Sequence, residues 1–444
     1  LINYCGKLVF TAMKWKKLAS CFASPLTFNN LAMAVSPKSN TLSPLSSRIQ
    51  PRKIRVLTIM TNLAVGGVQD NVLMTLERLN RKKYEVSLIT SSEGEWLPRV
   101  KGIKDLNLIF MDSFTRVIHP LKDLATLFKI HSKIKKDGYD IVHTHSSKAG
   151  VLGRLAAKLA GVQIIVHSHH GLNFHDYLNP ATRFIFLKLE RFLSRISSRL
   201  ITVSQLNLQK VLDAKLAPRN KFANIYYGID FEKFDVRIDI SAKRKEIGVV
   251  GNEKIVATVG RLFPQKAPQD LIRAMPKVLA AHRDVAFVFI GGGEMLPQLQ
   301  LLAKKLGVES QIRFLGDRDD VPELLQIVDV FILTSLWEGM PRALIEAMYC
   351  ARPLVATAVD GTPELVQQNE TGILVPPRDI DAIANGIITL LNDEKKAKQM
   401  GAEAKRRVSE KFAIDKMISE IERVYDELLE QKGLIHPSNS QSSA

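Results

Sequence analysis

The sequence predicts an α/β protein made of two doubly wound units that face each other across a cleft. Three observations carry this. From Ile54 onward, short apolar runs rich in β-branched residues alternate with amphipathic stretches, the pattern of a mostly parallel sheet with helices on both faces. The alternation lapses into a charged stretch near Asp235–Gly251 and then resumes as a second unit of similar size. The length, 444 residues at 46% hydrophobic and 24% charged, suits two or three globular domains.

In the first unit, Ile54–Met60, Tyr84–Thr90, Leu106–Phe110, Ile141–Thr144, Gln163–Val166 and Leu200–Val203 read as strands. In the second, Lys254–Val259, Val285–Ile290, Gln311–Leu315, Val330–Leu333, Pro353–Ala356 and Gly372–Val375 do so. Helices of the second unit are expected to begin near Ala267, Met295, Val321, Pro341, Pro363 and Ile380, several of them at a proline, which is favoured in a first helical turn. After Phe412, the spacing of Ile414, Met417, Ile418, Ile421, Val424, Tyr425 and Leu428 predicts one more amphipathic helix. The expected segments are a basic extension over 1–52, a first Rossmann-like domain over 53–234 and a linker over 235–250. A second Rossmann-like domain follows over 251–411, then a helix over 412–432 packing back on the first domain, and a polar, disordered tail over 433–444.

Composition excludes several classes. No run approaches the ~18 apolar residues of a spanning helix. Cys5, Cys21 and Cys350 cannot build a disulfide framework or a four-thiolate metal site, and a reducing compartment is expected. The net charge is +17, but residues 1–57 hold nine Lys and Arg and no acid, leaving +8 for residues 58–444. The folded part is therefore mildly basic, which a membrane face or an anionic substrate explains as well as nucleic acid does. The leader is read as a disordered or mistranslated extension, with either Met13 or Met33 as the true start or the sequence a fragment of a longer one; its Ser-rich, acid-free composition is also that of a transit peptide.

Five constellations are candidates for chemistry. Gly260-Arg261-Leu262-Phe263-Pro264-Gln265-Lys266 follows a strand and precedes a helix, placing two cations and a helix N-terminus where a diphosphate would be neutralised; a solvated loop is the plain alternative. Gly291-Gly292-Gly293 ends another strand, and Gly66-Gly67 ends the first; both allow close approach to a ligand, or are simply turns. In Trp337-Glu338-Gly339-Met340-Pro341-Arg342-Ala343-Leu344-Ile345-Glu346, amides at Met340, Arg342 and Ala343 are available for sugar hydroxyls or phosphate. Glu346 suits a ribose, and Glu338 a sugar hydroxyl or a developing oxocarbenium charge. The plain alternative is two ordinary glutamates at a helix start.

The histidines His143, His145, His167, His169, His170 and His175 raise a metal site, but no Asp or Cys accompanies them at zinc-like spacing, and none is expected. One at a strand end is a candidate for contacting a reacting sugar. Finally, Arg191, Arg195 and Arg199 form an i, i+4 stripe beside apolar residues, which fits an anionic membrane surface or a core-packed helix with a solvated edge.

Together and in order, Gly66-Gly67, Asp140-Ile-Val-His-Thr-His145, His170-Gly171, Gly228-Ile229-Asp230 with Phe234, Gly260-Arg261 with Lys266, Gly291–Gly293, Glu338 with Glu346, and Gly361-Thr-Pro-Glu364 resemble the retaining glycosyltransferases of family 4, also called group 1, of the GT-B fold. The likeness extends over about residues 54–431. It implies a metal-independent, retaining transfer of a hexosyl group from a UDP- or GDP-linked sugar to a hydroxyl, by front-face attack. The acceptor implied is a lipid-linked saccharide or polysaccharide precursor of the cell surface. By resemblance, Glu346 holds the ribose, while Gly67, Arg261, Lys266 and Ala343 hold the diphosphate. Met340 and Arg342 hold the donor sugar, and His170 and Glu338 are catalytic. No cofactor, no metal and no nucleic acid are implied; the protein would be cytoplasmic, with a peripheral place on the membrane. Ala267, Pro341 and Tyr227 depart from the family, which more often has Gly, Gly and Asn there. A GT-B nucleotide-sugar epimerase and a basic nucleic-acid-binding protein are the rival readings.

Overall fold

The structure, a computed structural model, describes residues 52–435 except 116, 173, 175 and 176. The basic leader, most of the polar tail and His175 lie outside the described residues. The first unit runs β1 (Ile54–Ile59), α1 (Gly67–Arg78), β2 (Tyr84–Thr90), α2 (Leu97–Lys101), β3 (Leu106–Phe110), α3 (Pro120–Asp137), β4 (Ile141–His145), α4 (Ser147–Leu159), β5 (Ile164–His169), α5 (Pro180–Ile196), β6 (Arg199–Thr202), α6 (Gln205–Asp213) and β7 (Phe222–Asn224). The second runs α7 (Ile240–Glu246), β8 (Lys254–Val259), α8 (Pro268–Ala281), β9 (Val285–Ile290), α9 (Leu296–Leu306), β10 (Ile312–Gly316), α10 (Val321–Gln326), β11 (Val330–Leu333), α11 (Arg342–Tyr349), β12 (Leu354–Thr357), α12 (Thr362–Leu365), β13 (Ile373–Val375), α13 (Ile380–Asn392) and α14 (Glu394–Ser409). A last helix, α15 (Ile414–Gln431), follows.

Both sheets are parallel. The first has the order β3-β2-β1-β4-β5-β6-β7 and the second β10-β9-β8-β11-β12-β13. Strand order therefore reverses between β1 and β4 and again between β8 and β11. Beyond the carboxyl ends of such a reversal the loops diverge and leave a crevice, where open α/β sheets take ligands. Local chemistry fixes the helix starts: Asn179 accepts from Thr182 N at 2.8 Å before Pro180 begins α5, and Asp379 accepts from Ala382 N at 2.8 Å before α13.

Two strand readings differ from the sequence. β5 extends to His169, three residues past the expected end, because His167 and His169 are buried like apolar residues. β7 is only three residues long, too short for an alternation to register. The charged segment 235–250 is not a bare connector. It carries α7, capped by Asp239 and tied to the second unit by Lys243, which reaches Asp320 at 2.9 Å and Glu323 at 2.6 Å.

The chain crosses between the units twice, side by side: Ile229 N donates to Phe412 O at 2.8 Å and Ile414 N to Ile229 O at 3.1 Å. α15 then packs into the core of the first unit, burying Ile414, Met417, Ile418, Ile421, Val424, Tyr425, Leu428 and Leu429 with residues of β1 and β2. Each such side chain contributes about 1.5–3 kcal/mol of transfer free energy. Lys83 and Tyr84 hold Asp426 of that helix at 2.6 and 3.1 Å.

Candidate active site

The loops beyond both reversal points meet at a cavity of about 810 Å³, within the range of small-molecule sites. Gly67, His170, Arg261, Lys266, Glu338, Met340, Arg342, Ala343 and Glu346 all line it. Nine side chains or backbones picked from scattered motifs thus converge on one space, two from the first unit and seven from the second.

On the second unit's wall, Lys266 Nζ lies 2.5 Å from Glu338 Oε1. Glu338 is buried, accepts from Ser335 Oγ at 2.6 Å, and donates its backbone N–H to Asp360 at 2.7 Å. Thr334 Oγ1 donates to Lys266 O at 2.9 Å, and Gln265 Nε2 to Trp337 O, so the two loops are stitched together. Arg261 lies 4.9 Å above the Phe263 ring. Ala267 adopts the left-handed conformation at φ 45°, which a Cβ disfavours.

The glycine run lies against the Arg261 loop. Gly291, Gly292 and Gly293 are not among the cavity-lining residues. A Cβ at Gly291 would meet Gly260 O at 2.4 Å, and one at Gly293 would meet Leu262 O at 2.5 Å. These glycines let two loops of the second unit lie against each other, and so shape the Arg261 loop.

At the start of α11, the first amides have no partner within the helix, and Pro341 supplies none. Met340 lines the cavity, and its side chain is buried with the core of the second unit. Glu346 lies one turn further in; burial pushes its carboxyl above the usual carboxylate range, with Arg342 partly opposing this. Arg342 Nε donates to Glu346 at 2.7 Å while Arg342 Nη2 reaches Asp70 of α1 at 2.5 Å. Arg342 is therefore a bridge across the cleft. The units also approach at Gly339, where a Cβ would meet His170 O at 1.9 Å.

The first unit's wall is a histidine network. His145 Nδ1 lies 2.9 Å from His170 Nε2, and His170 Nδ1 lies 2.9 Å from Tyr227 Oη. Behind them, His143 bonds Tyr425 of α15 at 2.7 Å and Ser168 at 2.8 Å. Burial drives His143 and His170 each down to about 3, so the rings are neutral at physiological pH.

His167 and His169 do acquire a carboxylate neighbour. Glu190 of α5 brings a third ligand-type atom within 4.8 Å, a grouping that local spacing cannot reveal because the acid lies on the following helix. Both Glu190 oxygens, however, accept from Arg154 Nη2 at 3.0 Å in a buried pair. The resident cation beside this carboxylate is a guanidinium.

Three features of the site were not anticipated: Asp70, the bonds of Tyr227, and a crossing at Glu364. Glu364 accepts from Gln205 N at 3.0 Å and Leu206 N at 2.6 Å, capping α6 from the other unit, and from Tyr226 Oη at 3.0 Å. The arginine stripe also reads differently. Arg191 donates to Ala214 O at 2.7 Å and Arg199 to Glu427 at 3.4 Å, leaving Arg195 the exposed member. Among the described residues no helix is long and apolar enough to cross a membrane.

Comparison with known proteins decides the family. Residues 65–233 match the family described as Glycosyltransferase Family 4, and residues 239–407 match Glycosyl transferases group 1. The chain is 31% identical to the UDP-Gal:alpha-D-GlcNAc-diphosphoundecaprenol alpha-1,3-galactosyltransferase of Escherichia coli, covering 86% of this chain and 98% of that one. The chain belongs to the family 4, group 1 glycosyltransferases. It is also 28% identical to the N-acetyl-alpha-D-glucosaminyl L-malate synthase of Bacillus anthracis, over 80% of this chain and 92% of that one. The crystal structure of Anabaena HepE in complex with UDP-glucose superposes with a TM-score of 0.74 at 23% identity, covering 84% of this chain and all of that one. The two parallel-sheet units facing a cleft are thus the GT-B fold. As a family 4 member, the protein is a nucleotide-sugar-dependent glycosyltransferase acting on a hydroxyl acceptor.

Proposed function

We propose that the protein transfers a hexosyl group from a UDP-sugar, with retention and without a metal ion, to a hydroxyl of a saccharide carried on a lipid diphosphate. The observation that carries this is the convergence of Arg261, Lys266, Glu338 and Glu346 with His170 on one cavity between the units. The Escherichia coli relative, which uses UDP-galactose and a diphosphoundecaprenol-linked acceptor, supports both substrate classes.

In this reading Glu346 accepts the ribose hydroxyls, taking them in exchange for Arg342. Gly67, the Ala343 amide, Arg261 and Lys266 surround the diphosphate. Met340 and Arg342 offer main-chain donors to the sugar, where His170 and Glu338 stand as the catalytic pair. As the C1–O bond to the diphosphate breaks, negative charge gathers on the leaving oxygen, and fixed cations there stabilise the transition state more than the ground state. The acceptor hydroxyl attacks C1 from the same face, and its proton passes to that departing phosphate oxygen. Glu338 steadies the positive charge at C1. Two cations and the α11 amides do the work for which other transferases recruit a divalent ion.

A lipid-borne acceptor calls for a peripheral place at a membrane. Its best support is α3 rather than the arginine stripe: Leu121, Leu124 and Phe128, with Val117 and Ile118 before them, are exposed beside the exposed Lys122 and Lys129. An apolar face flanked by cations suits an anionic lipid surface.

The test is transfer from UDP-galactose, UDP-glucose and UDP-N-acetylglucosamine to a short polyprenyl-diphosphate-linked N-acetylglucosamine, with the new anomeric centre read by NMR. An α-linked product formed in the presence of a chelator is expected. A β-linked product, or transfer only after a divalent ion is added, overturns the mechanism.

A further inference from the structure

His170 stands at the cavity with both ring nitrogens engaged, and the direction of those bonds can be read. Each contact, Tyr227 Oη to His170 Nδ1 and His170 Nε2 to His145 Nδ1, is 2.9 Å long and holds one proton. If the Tyr227 hydroxyl donates to Nδ1, then Nε2 carries the proton and donates to His145. The opposite setting makes Nδ1 the donor and sends the Tyr227 hydroxyl proton elsewhere. Among the described residues its other acceptor is His170 O at 3.5 Å, too long for a good O–H···O bond. A buried hydroxyl without a good acceptor is disfavoured.

The surroundings fix the pair in place. Tyr227 is buried, lines the cavity, and precedes Gly228-Ile229, the crossing pinned to Phe412 and Ile414. Burial raises its phenol pKa, with Glu338 adding to the effect, which keeps the hydroxyl protonated. His145 ends β4, its ring 4.2 Å from His143 and 5.2 Å from His170.

We propose that Tyr227 and His145 are positioning residues that hold His170 as the neutral Nε2–H tautomer, in one orientation at the transferred sugar. The role of the ring in catalysis rests on the functional reading above; its tautomer does not. The consequence is that turnover, more than donor affinity, depends on a hydroxyl that need not touch the substrate.

The experiment is ring-nitrogen NMR of histidine-labelled protein, with His170 assigned by loss of its signals in His170→Gln, beside steady-state kinetics. The wild type is expected to show a bare Nδ1 and a protonated Nε2. Tyr227→Phe should give mixed tautomers and turnover lowered about tenfold, the scale of one lost hydrogen bond, with donor KM changed less than about threefold. His145→Leu should do the same, whereas His145→Asn, whose amide oxygen can accept from Nε2–H, should restore the single tautomer and most of the turnover. An Nδ1–H tautomer in the wild type, or unchanged tautomer and turnover in both Tyr227→Phe and His145→Leu, overturns the proposal. A wild type that binds no nucleotide-sugar would count against the functional reading alone, since the tautomer measurement needs no substrate.

Discussion

Lys266 and Glu338 form one ion pair, 2.5 Å from Nζ to Oε1, although the proposed function assigns them to opposite ends of the bond to be broken. In that reading the lysine faces the diphosphate and the glutamate the transferred sugar. Lys266→Ala should weaken UDP-sugar binding about 10- to 100-fold, as expected for a charged hydrogen bond worth about 1.5–3 kcal/mol. Glu338→Gln keeps the shape and should leave binding within a few-fold while turnover falls about 10²–10³-fold. Calorimetry and initial rates separate the two effects.

Glu346 should make donor binding pH-dependent. Burial raises its pKa above the ordinary carboxylate value, with Arg342 pulling the other way. The ionised form accepts ribose hydroxyls best, so affinity for UDP-glucose should rise as pH increases through that elevated pKa. The sign for stability is opposite. A carboxylate whose pKa is raised on folding favours the native state when protonated, so its contribution is lost as pH rises from the unfolded pKa to the folded one. In Glu346→Gln the slope of affinity with pH should disappear.

The buried pair Arg154–Glu190 gives a third expectation. Glu190→Gln leaves a guanidinium buried without its counter-charge and should cost about 3–5 kcal/mol in urea denaturation. The double change Arg154→Met, Glu190→Gln should recover much of that loss. Chelation should leave wild-type turnover unchanged; a loss reversed by zinc would mean that His167, His169 and Glu190 hold an ion.

Glu364 ties the units by accepting two amides at the start of α6. Glu364→Ala should lower stability by about 1–3 kcal/mol and raise donor KM, because the cleft loses a clasp on one side. Small-angle scattering should report a larger radius of gyration than that of the wild type.

The exposed face of α3 should govern lipid binding. Leu121→Asp with Phe128→Asp should reduce co-sedimentation with vesicles rich in phosphatidylglycerol, and leave transfer to a water-soluble acceptor intact. Arg195→Ala should have the smaller effect.

Much of this was legible in the sequence because parallel strands buried on both faces read as apolar runs; β2, β3, β8, β9 and β11 fall within their expected limits. The site was legible for a related reason, since its residues lie just after those strands. What escaped was pairwise and long-range. Asp70 is an unremarkable helix residue until Arg342 is seen beside it, 272 positions on. Glu190 is an ordinary acid on an amphipathic helix until Arg154 meets it. The glycines left a choice open, because Gly291–Gly293 look the same whether a ligand or a neighbouring loop comes close. The arginine stripe stayed open between two readings because spacing says which residues share a face, and not what already covers it.

The most direct measurement is a calorimetric titration of the wild type and of Lys266→Ala with UDP-galactose, UDP-glucose and their GDP counterparts. The account expects one UDP-sugar to bind the wild type without added metal, and Lys266→Ala to bind it at least tenfold more weakly. Equal affinity in the two proteins, or binding of the GDP-sugars alone, would contradict it.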